Sequence, residues 1–307
     1  MIVATRANAY TGSPVDRVSH LRDDGDWVAA ALADPATLWA PVWRARSLMR
    51  GETPEAVFVA GPAAEALRGQ DGPWALLGQL EDGARLFAID ISDTDEPSRL
   101  LPEGVGEFID LRTTVSLLPA RDAAILAHAR GLMHWRARHR FCANCGHAVE
   151  PRHAGNATGC PACGTQHFPR TDPAVIMLVS HGEGEAARVL LGHSQRFPTS
   201  TMYSTLAGFV EPGESLEEAV VREVFEESGV RVADVVYHSS QPWPFPASIM
   251  LGFYARALTE DIVIEHNELT DARWFTREQL RDSAAHGFML PRGDSIARRL
   301  IEDWIAA

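Results

Sequence analysis

Gly208-Phe-Val-Glu-Pro-Gly-Glu214-Ser-Leu-Glu-Glu-Ala-Val-Val-Arg222-Glu223-Val-Phe-Glu226-Glu227-Ser-Gly229-Val230 is the stretch from which the rest of the chain can be read. A helix is predicted over 215–228, and on it Glu223, Glu226 and Glu227 stand at i, i+3 and i+4, so three carboxylates share one face. Like charges packed this closely repel unless a cation joins them. Hard oxygen donors on one face suit Mg2+ or Mn2+, above all when the phosphates of a substrate complete the shell. Arg222 and Glu214 can hold the carboxylates from behind, and Gly229 can take the left-handed cap of the helix. The alternative is a solvated acidic helix face, common wherever Glu is abundant.

Strands are predicted on both sides of this helix, over 174–179, 188–192 and 205–210 before it and 232–238, 249–257 and 272–275 after it. A closing helix is predicted over 295–304. Strands interrupted by helices, joined by short connections, indicate an α/β/α sandwich. Upstream of residue 118 the strand candidates are 56–60, 74–80 and 85–91, separated by turns such as Asp71-Gly72-Pro73 and Glu81-Asp82-Gly83. Four of the eight Trp, at 27, 39, 43 and 74, lie in that part and are expected to fill a small α+β core or a subunit contact rather than bind ligand. After Pro119 a helix is expected, with Leu126, Ala129 and Met133 on one face. The expected organisation is an N-terminal α+β domain with a linker helix over 1–138, a metal ribbon over 139–168 and the sandwich over 169–307.

Composition narrows the chemistry. All 28 basic residues are Arg, which removes any Schiff base, Walker-type lysine or kinase lysine. With 41 acidic residues the formal charge is −13, which disfavours nonspecific binding to nucleic acid or to an anionic membrane. No apolar run approaches the ~18 residues of a membrane span, and residues 1–10 lack the pattern of a secretory signal. The expected compartment is the cytoplasm.

Cys142-x2-Cys145 and Cys160-x2-Cys163 are the chain's four cysteines, each pair followed directly by Gly. Two tight thiolate turns are what a tetrahedral Zn2+ needs, and the glycines let the backbone turn under the sulfurs. His139, His147, His153 and His167 lie close by and could replace a cysteine. A four-cysteine shell leaves no open position for chemistry, so the expected role of the zinc is structural. Residues 121–170 also hold seven Arg against Asp122 and Glu150. That excess fits either phosphate contact or a solvated basic face.

The stretch beginning at Gly208 resembles the Nudix box, G-x5-E-x7-R-E-U-x-E-E-x-G-U with U aliphatic, at every defined position. A second string, Ser239-Ser240-Gln241-Pro242-Trp243-Pro244-Phe245-Pro246-Ala247-Ser248, alternates prolines with rings. It reads either as a stiff wall suited to stacking on planar bases, with Gln241 and Ser248 offering hydrogen bonds, or as a Pro-rich strand end with core aromatics. This string resembles the S-Q-P-W-P-F-P-x-S signature of the NADH pyrophosphatase subfamily of Nudix hydrolases, which also carries a four-cysteine zinc ribbon ahead of its Nudix domain.

The resemblance implies metal-dependent hydrolysis of the pyrophosphate of NADH or NAD+ to nicotinamide mononucleotide and AMP. It also implies removal of NAD caps from RNA and a homodimer whose sites use both chains. By position, Glu223, Glu226, Glu227 and Glu268 and the carbonyl of Ala207 are implied metal ligands. Glu227, aided by Glu226, is implied to handle the attacking water. Arg112, Phe168, Phe209, residues Gln241 to Ser248 and the backbone of Ala297 are implied substrate contacts. Gly155 departs from relatives that place an acidic contact there. Two other readings are a Nudix hydrolase acting mainly on another nucleotide such as ADP-ribose, and an RNA-processing protein gripping transcripts through the ribbon and its Arg-rich approach.

Overall fold

The computed structural model of the chain describes residues 7–195 and 201–307. Its described residues form two compact units: one is Tyr10–Thr171 with Trp243–Ala247, the other residues 7–9, 172–195 and 201–242 with Ser248–Ala307.

The first unit runs α1 (Gly25–Ala33), β1 (Leu38–Trp43), β2 (Arg46–Arg50), β3 (Glu55–Ala56), α2 (Gly61–Arg68), β4 (Trp74–Gln79), β5 (Arg85–Asp90), β6 (Glu107–Ile109), α3 (Leu111–Thr114) and α4 (Ala120–Arg138). Its sheet has the order β3-β2-β1-β5-β4, with β6 on β2, and β1 runs parallel to β5. The period of two along the strands splits the side chains between two cores. Trp39 and Phe87 stack at 5.0 Å on one face, with Trp27, Trp43 and Trp74 packed around them. Ala40, Ala75, Leu77 and Ala88 meet Ile125, Ala129, Leu132 and Met133 of α4 on the other; of the predicted face, Ala129 and Met133 lie there, while Leu126 is buried outside that cluster.

The strand expected over 56–60 contracts to Glu55–Ala56 plus a single bridge from Val59 to Trp39, because Gly61 and Pro62 start α2 at once. Strand β1 is not predicted from the sequence because Pro41 lies in its middle, where a missing N–H argues against a central strand. Trp39 turns its N–H and carbonyl toward Val59, and two residues on Pro41 faces the same side. Pairing with β2 begins only at Val42, so the proline falls in the gap between two ladders.

After α4 come the short strands β7 (Glu150–Arg152), β8 (Ala157–Gly159) and β9 (Gln166–His167), an antiparallel ribbon. The second unit contains β10 (Asp172–His181), β11 (Arg188–Ser194), β12 (Leu206–Phe209), α5 (Leu216–Ser228), β13 (Val232–Trp243), β14 (Ser248–Ala257), β15 (Leu269–Thr276), α6 (Arg277–Arg281) and α7 (Ile296–Ala306). Its sheet order is β13-β14-β10-β11-β15, with β12 on β10. Strand β10 is buried on both faces. Val175, Met177 and Val179 pack with Ala219, Val220 and Val224 of α5, whereas Ile176 and Leu178 pack with Leu300 and Ile301 of α7. This is the expected α/β/α sandwich. No helix among the described residues is long and apolar enough to cross a membrane.

Candidate active site and zinc centre

Helix α5 is closed at both ends by its own residues. Ser215 and Glu218 form a reciprocal capping box, and Gly229 adopts φ +69° at the C-cap, a conformation that suits glycine. The helix therefore presents its carboxylates from a fixed frame. Glu223 and Glu227 are buried and Glu226 is exposed. Arg222 gathers the surrounding groups: Nε donates to Glu214 at 3.0 Å, and one terminal nitrogen donates to Glu223 at 2.9 Å and Glu226 at 3.1 Å. The other donates to the carbonyl of Phe209 on β12 at 2.9 Å. Loop, helix and strand are thus joined through one guanidinium, whose planar fork of donors lysine does not offer.

Burial pushes the Glu223 carboxyl above the usual carboxylate range. The negative charges of Glu226 and Glu268 push the same way, and Arg222 offsets only part of this. The site therefore has more negative charge than its own cations balance, and its donors are hard oxygens, which fits a divalent cation. Among the described residues, the cysteine tetrad is the one group of three or more metal-ligating side chains gathered closely enough to hold an ion, its donor atoms all lying within 4.8 Å of one another. Ala207 lies on β12 beside Gly208, and Glu268 is exposed just before β15.

Gly208 is required by contact. A Cβ there would lie 1.8 Å from the Glu223 carboxyl carbon. Gly208→Ala is expected to displace that carboxylate and lower kcat by about 10²-fold with zinc content unchanged, as measured by steady-state kinetics and metal analysis. The raised Glu223 pKa also makes stability depend on pH. The folded state holds the Glu223 proton more tightly than the unfolded chain, so its contribution is present at low pH and is lost as pH rises through the folded value. A cation binding the carboxylate reverses this loss. Melting scans should show Mn2+ or Mg2+ raising Tm more at pH 8 than at pH 5, and an equal effect at both would contradict cation binding at Glu223.

The wall residues divide between the two units. Gln241 is fully buried; its Nε2 donates to the carbonyls of Asp294 at 2.8 Å and Ala9 at 3.4 Å. Its Oε1 accepts from the Ile296 N–H at 2.9 Å, which ties the strand to the first turn of α7, where Ala297 is buried. Pro242 and Ser248 flank the turn in the same unit. Trp243 to Ala247 belong to the other unit. There the guanidinium groups of Arg112 and Arg130 both lie over the Phe245 ring, at 4.6 and 4.8 Å, with Trp243 edge-on at 5.2 Å. Arg130 also donates to the Pro244 carbonyl at 2.8 Å, Pro246 is exposed and Ala247 half-buried. Phe168 and Phe209 are each 59% exposed, and the Phe168 ring stacks on that of His153 at 6.3 Å. Sequence reasoning does not find Arg130, whose place in a long helix gives no local signal.

The sulfurs of Cys142 and Cys163 lie 3.6 Å apart and those of Cys145 and Cys160 3.4 Å. These distances approach the ~3.8 Å edge of a tetrahedron built on ~2.3 Å zinc–sulfur bonds. Gly146 and Gly164 have φ +78° and +75°, as the two knuckles require. His167 and His147 stay outside the tetrad, their ring nitrogens 3.3 and 3.6 Å from Cys142 and Cys145 sulfur. The residues present fit Zn2+.

Family models match at three places: an NADH pyrophosphatase-like rudimentary Nudix domain over 36–135, an NADH pyrophosphatase zinc ribbon over 137–168 and a Nudix domain over 170–302. The chain is 36% identical over 312 residues to the NAD-capped RNA hydrolase NudC of Mycobacterium bovis, covering 95% of this chain and 92% of that one. The chain belongs to the Nudix family, in its NADH pyrophosphatase branch. This Nudix chain is also 44% identical over 200 residues to the NAD-capped RNA hydrolase NUDT12 of Macaca fascicularis, covering 61% of this chain and 43% of the relative. It therefore spans less than half the length of that relative. To the NudC of Stutzerimonas stutzeri it is 46% identical over 182 residues, covering 59% of this chain and 62% of that one.

Proposed function

We propose that this chain hydrolyses the pyrophosphate of NADH and NAD+ to nicotinamide mononucleotide and AMP, and that it also removes NAD caps from RNA 5′ ends. The observation that carries the reading is the Arg222 hub, which sets the carboxylates of Glu223 and Glu226 against the Phe209 carbonyl. The names and coverage of the relatives support the choice of substrate. Glu223, Glu226, Glu227, Glu268 and the Ala207 carbonyl would hold Mg2+ or Mn2+. The bound cation supplies charge neutralisation at the phosphates and a lower pKa for the attacking water. Glu227 accepts the proton of that water as its oxygen bonds to phosphorus and the bridging oxygen leaves.

Phe168 and Phe209 would stack on the bases, Arg112 and the stretch Gln241 to Ser248 would shape the pocket, and the Ala297 backbone would contact the substrate. The proposal extends to a cytoplasmic homodimer and to functional boundaries at 1–138, 139–168 and 169–307. Comparing kcat/KM on NADH, NAD+, ADP-ribose and NAD-capped RNA tests the reading. NADH should lead ADP-ribose by about tenfold or more, and the reverse order would replace it with a hydrolase of another nucleotide.

Removing a stacking ring separates recognition from metal binding. Phe209→Ala is expected to weaken base recognition by about 1–3 kcal/mol. KM for NADH should rise while the metal requirement holds, and the preference for NADH over ADP-ribose should narrow. Kinetics on both substrates across a metal titration decide this, and an equal loss on both would place the nicotinamide elsewhere.

A further inference from the structure

Residues 8–10 follow the signature string residue by residue. In the Nudix unit the Asn8 side-chain amide donates to Ser239 Oγ at 3.0 Å and to the Ser240 carbonyl at 2.7 Å, while its oxygen accepts from Arg299 at 3.0 Å. The next carbonyl, that of Ala9, accepts from Gln241. In the other unit the Tyr10 ring meets Trp243 edge-on at 6.4 Å and Phe245 at 5.7 Å.

Asn8, Tyr10, Ser239, Gln241 and Arg299 are all buried. Arg299 is anchored in turn by Asp303, which also faces His238, and His238 reaches Ser239 Oγ at 2.8 Å. Tyr10 has φ +67°, a conformation that side-chain-bearing residues rarely adopt unless their surroundings impose it.

We infer that segment 8–10 is a brace for the substrate wall, and that Asn8 is a positioning residue. It couples the buried Arg299 of α7 to the backbone at Ser240, so that Ser240 and Gln241 keep one register. Buried amide hydrogen bonds of this kind fix geometry because no water can replace a lost partner. The assignment of the wall to substrate rests on the proposed function, whereas the brace itself does not.

The test uses the full-length, zinc-loaded protein and its Asn8→Ala variant. Hydrogen exchange in peptides covering 239–247 should accelerate by about tenfold or more, while peptides of α5 exchange as in the wild type. On NADH, KM should rise about tenfold with kcat within about twofold, and ADP-ribose, which has no nicotinamide to seat, should respond less. Asn8→Asp keeps the oxygen facing Arg299 but turns an acceptor toward the Ser240 carbonyl in place of the amide donor, so it should lose protection as the alanine variant does, and wild-type exchange in it would overturn the coupling through Ser240. Unchanged exchange at 239–247 would overturn the brace whatever the substrate. A lower melting temperature with unchanged KM would reduce Asn8 to a stabilising residue and also overturn it. Wild-type protein that fails to cleave NADH would instead defeat the proposed function, leaving the exchange result to judge the brace.

Discussion

Glu227→Gln is expected to lower turnover on NADH by a factor of about 10² or more, the size of effect that follows from losing a positioned base or a metal ligand. The side chain is buried on α5, one turn beyond Glu223 and on the same face. Replacing its carboxylate by an amide of equal shape removes a negative charge from a crowded face, so the fold and the zinc content should be unaffected. The pair of measurements is kcat at saturating NADH with Mg2+ or Mn2+, and thermal melting. Near-normal kcat would remove Glu227 from the chemistry. A collapse in melting temperature would give it a structural role.

Cys142→Ser and Cys163→Ser should act through stability. The ribbon strands are two or three residues long, and Cys142 and Cys160 are the buried members of the tetrad. So small a module gathers little apolar area, and metal binding there is folding free energy. Loss of one thiolate should release zinc and cost several kcal/mol locally, a fall in melting temperature on the order of 10 °C with aggregation on heating. Zinc analysis with calorimetry checks this. A soluble, zinc-free variant of wild-type stability that loses only activity would instead place the metal in the reaction.

Local grammar makes the box helix, the tetrad and the sandwich legible in the amino-acid sequence itself. Ser215, Glu218 and Gly229 cap α5 within its own sequence, two knuckles need only a glycine each, and β10 alternates between two cores along consecutive residues. The parts that are not legible depend on partners distant in sequence. Pro41 sits within a central strand because the gap between the Val59 bridge and the β2 ladder falls beside it. The short helices α1 and α2 carry no periodic stripe long enough to stand out.

At the candidate site, spacing alone places the box residues, but it gives no reason for Gly208. That reason is the Glu223 carboxyl lying against the backbone there. The wall reads as one continuous surface in the sequence, whereas the fold assigns Gln241 to one unit and Trp243 to the other. It also brings Arg112 and Arg130 over the Phe245 ring. Asn8 is invisible in the sequence, because its partners lie more than 200 residues away.

If the carboxylate site of α5 works as proposed, it cuts a dinucleotide at its pyrophosphate. Chromatography of the products after incubating the purified, zinc-loaded protein with NADH and Mg2+ or Mn2+ tests it most directly. Equal amounts of reduced nicotinamide mononucleotide and AMP are expected, dependent on the added cation and abolished in Glu227→Gln. Release of nicotinamide with ADP-ribose, or intact NADH beside rapid cleavage of ADP-ribose, would contradict the proposal.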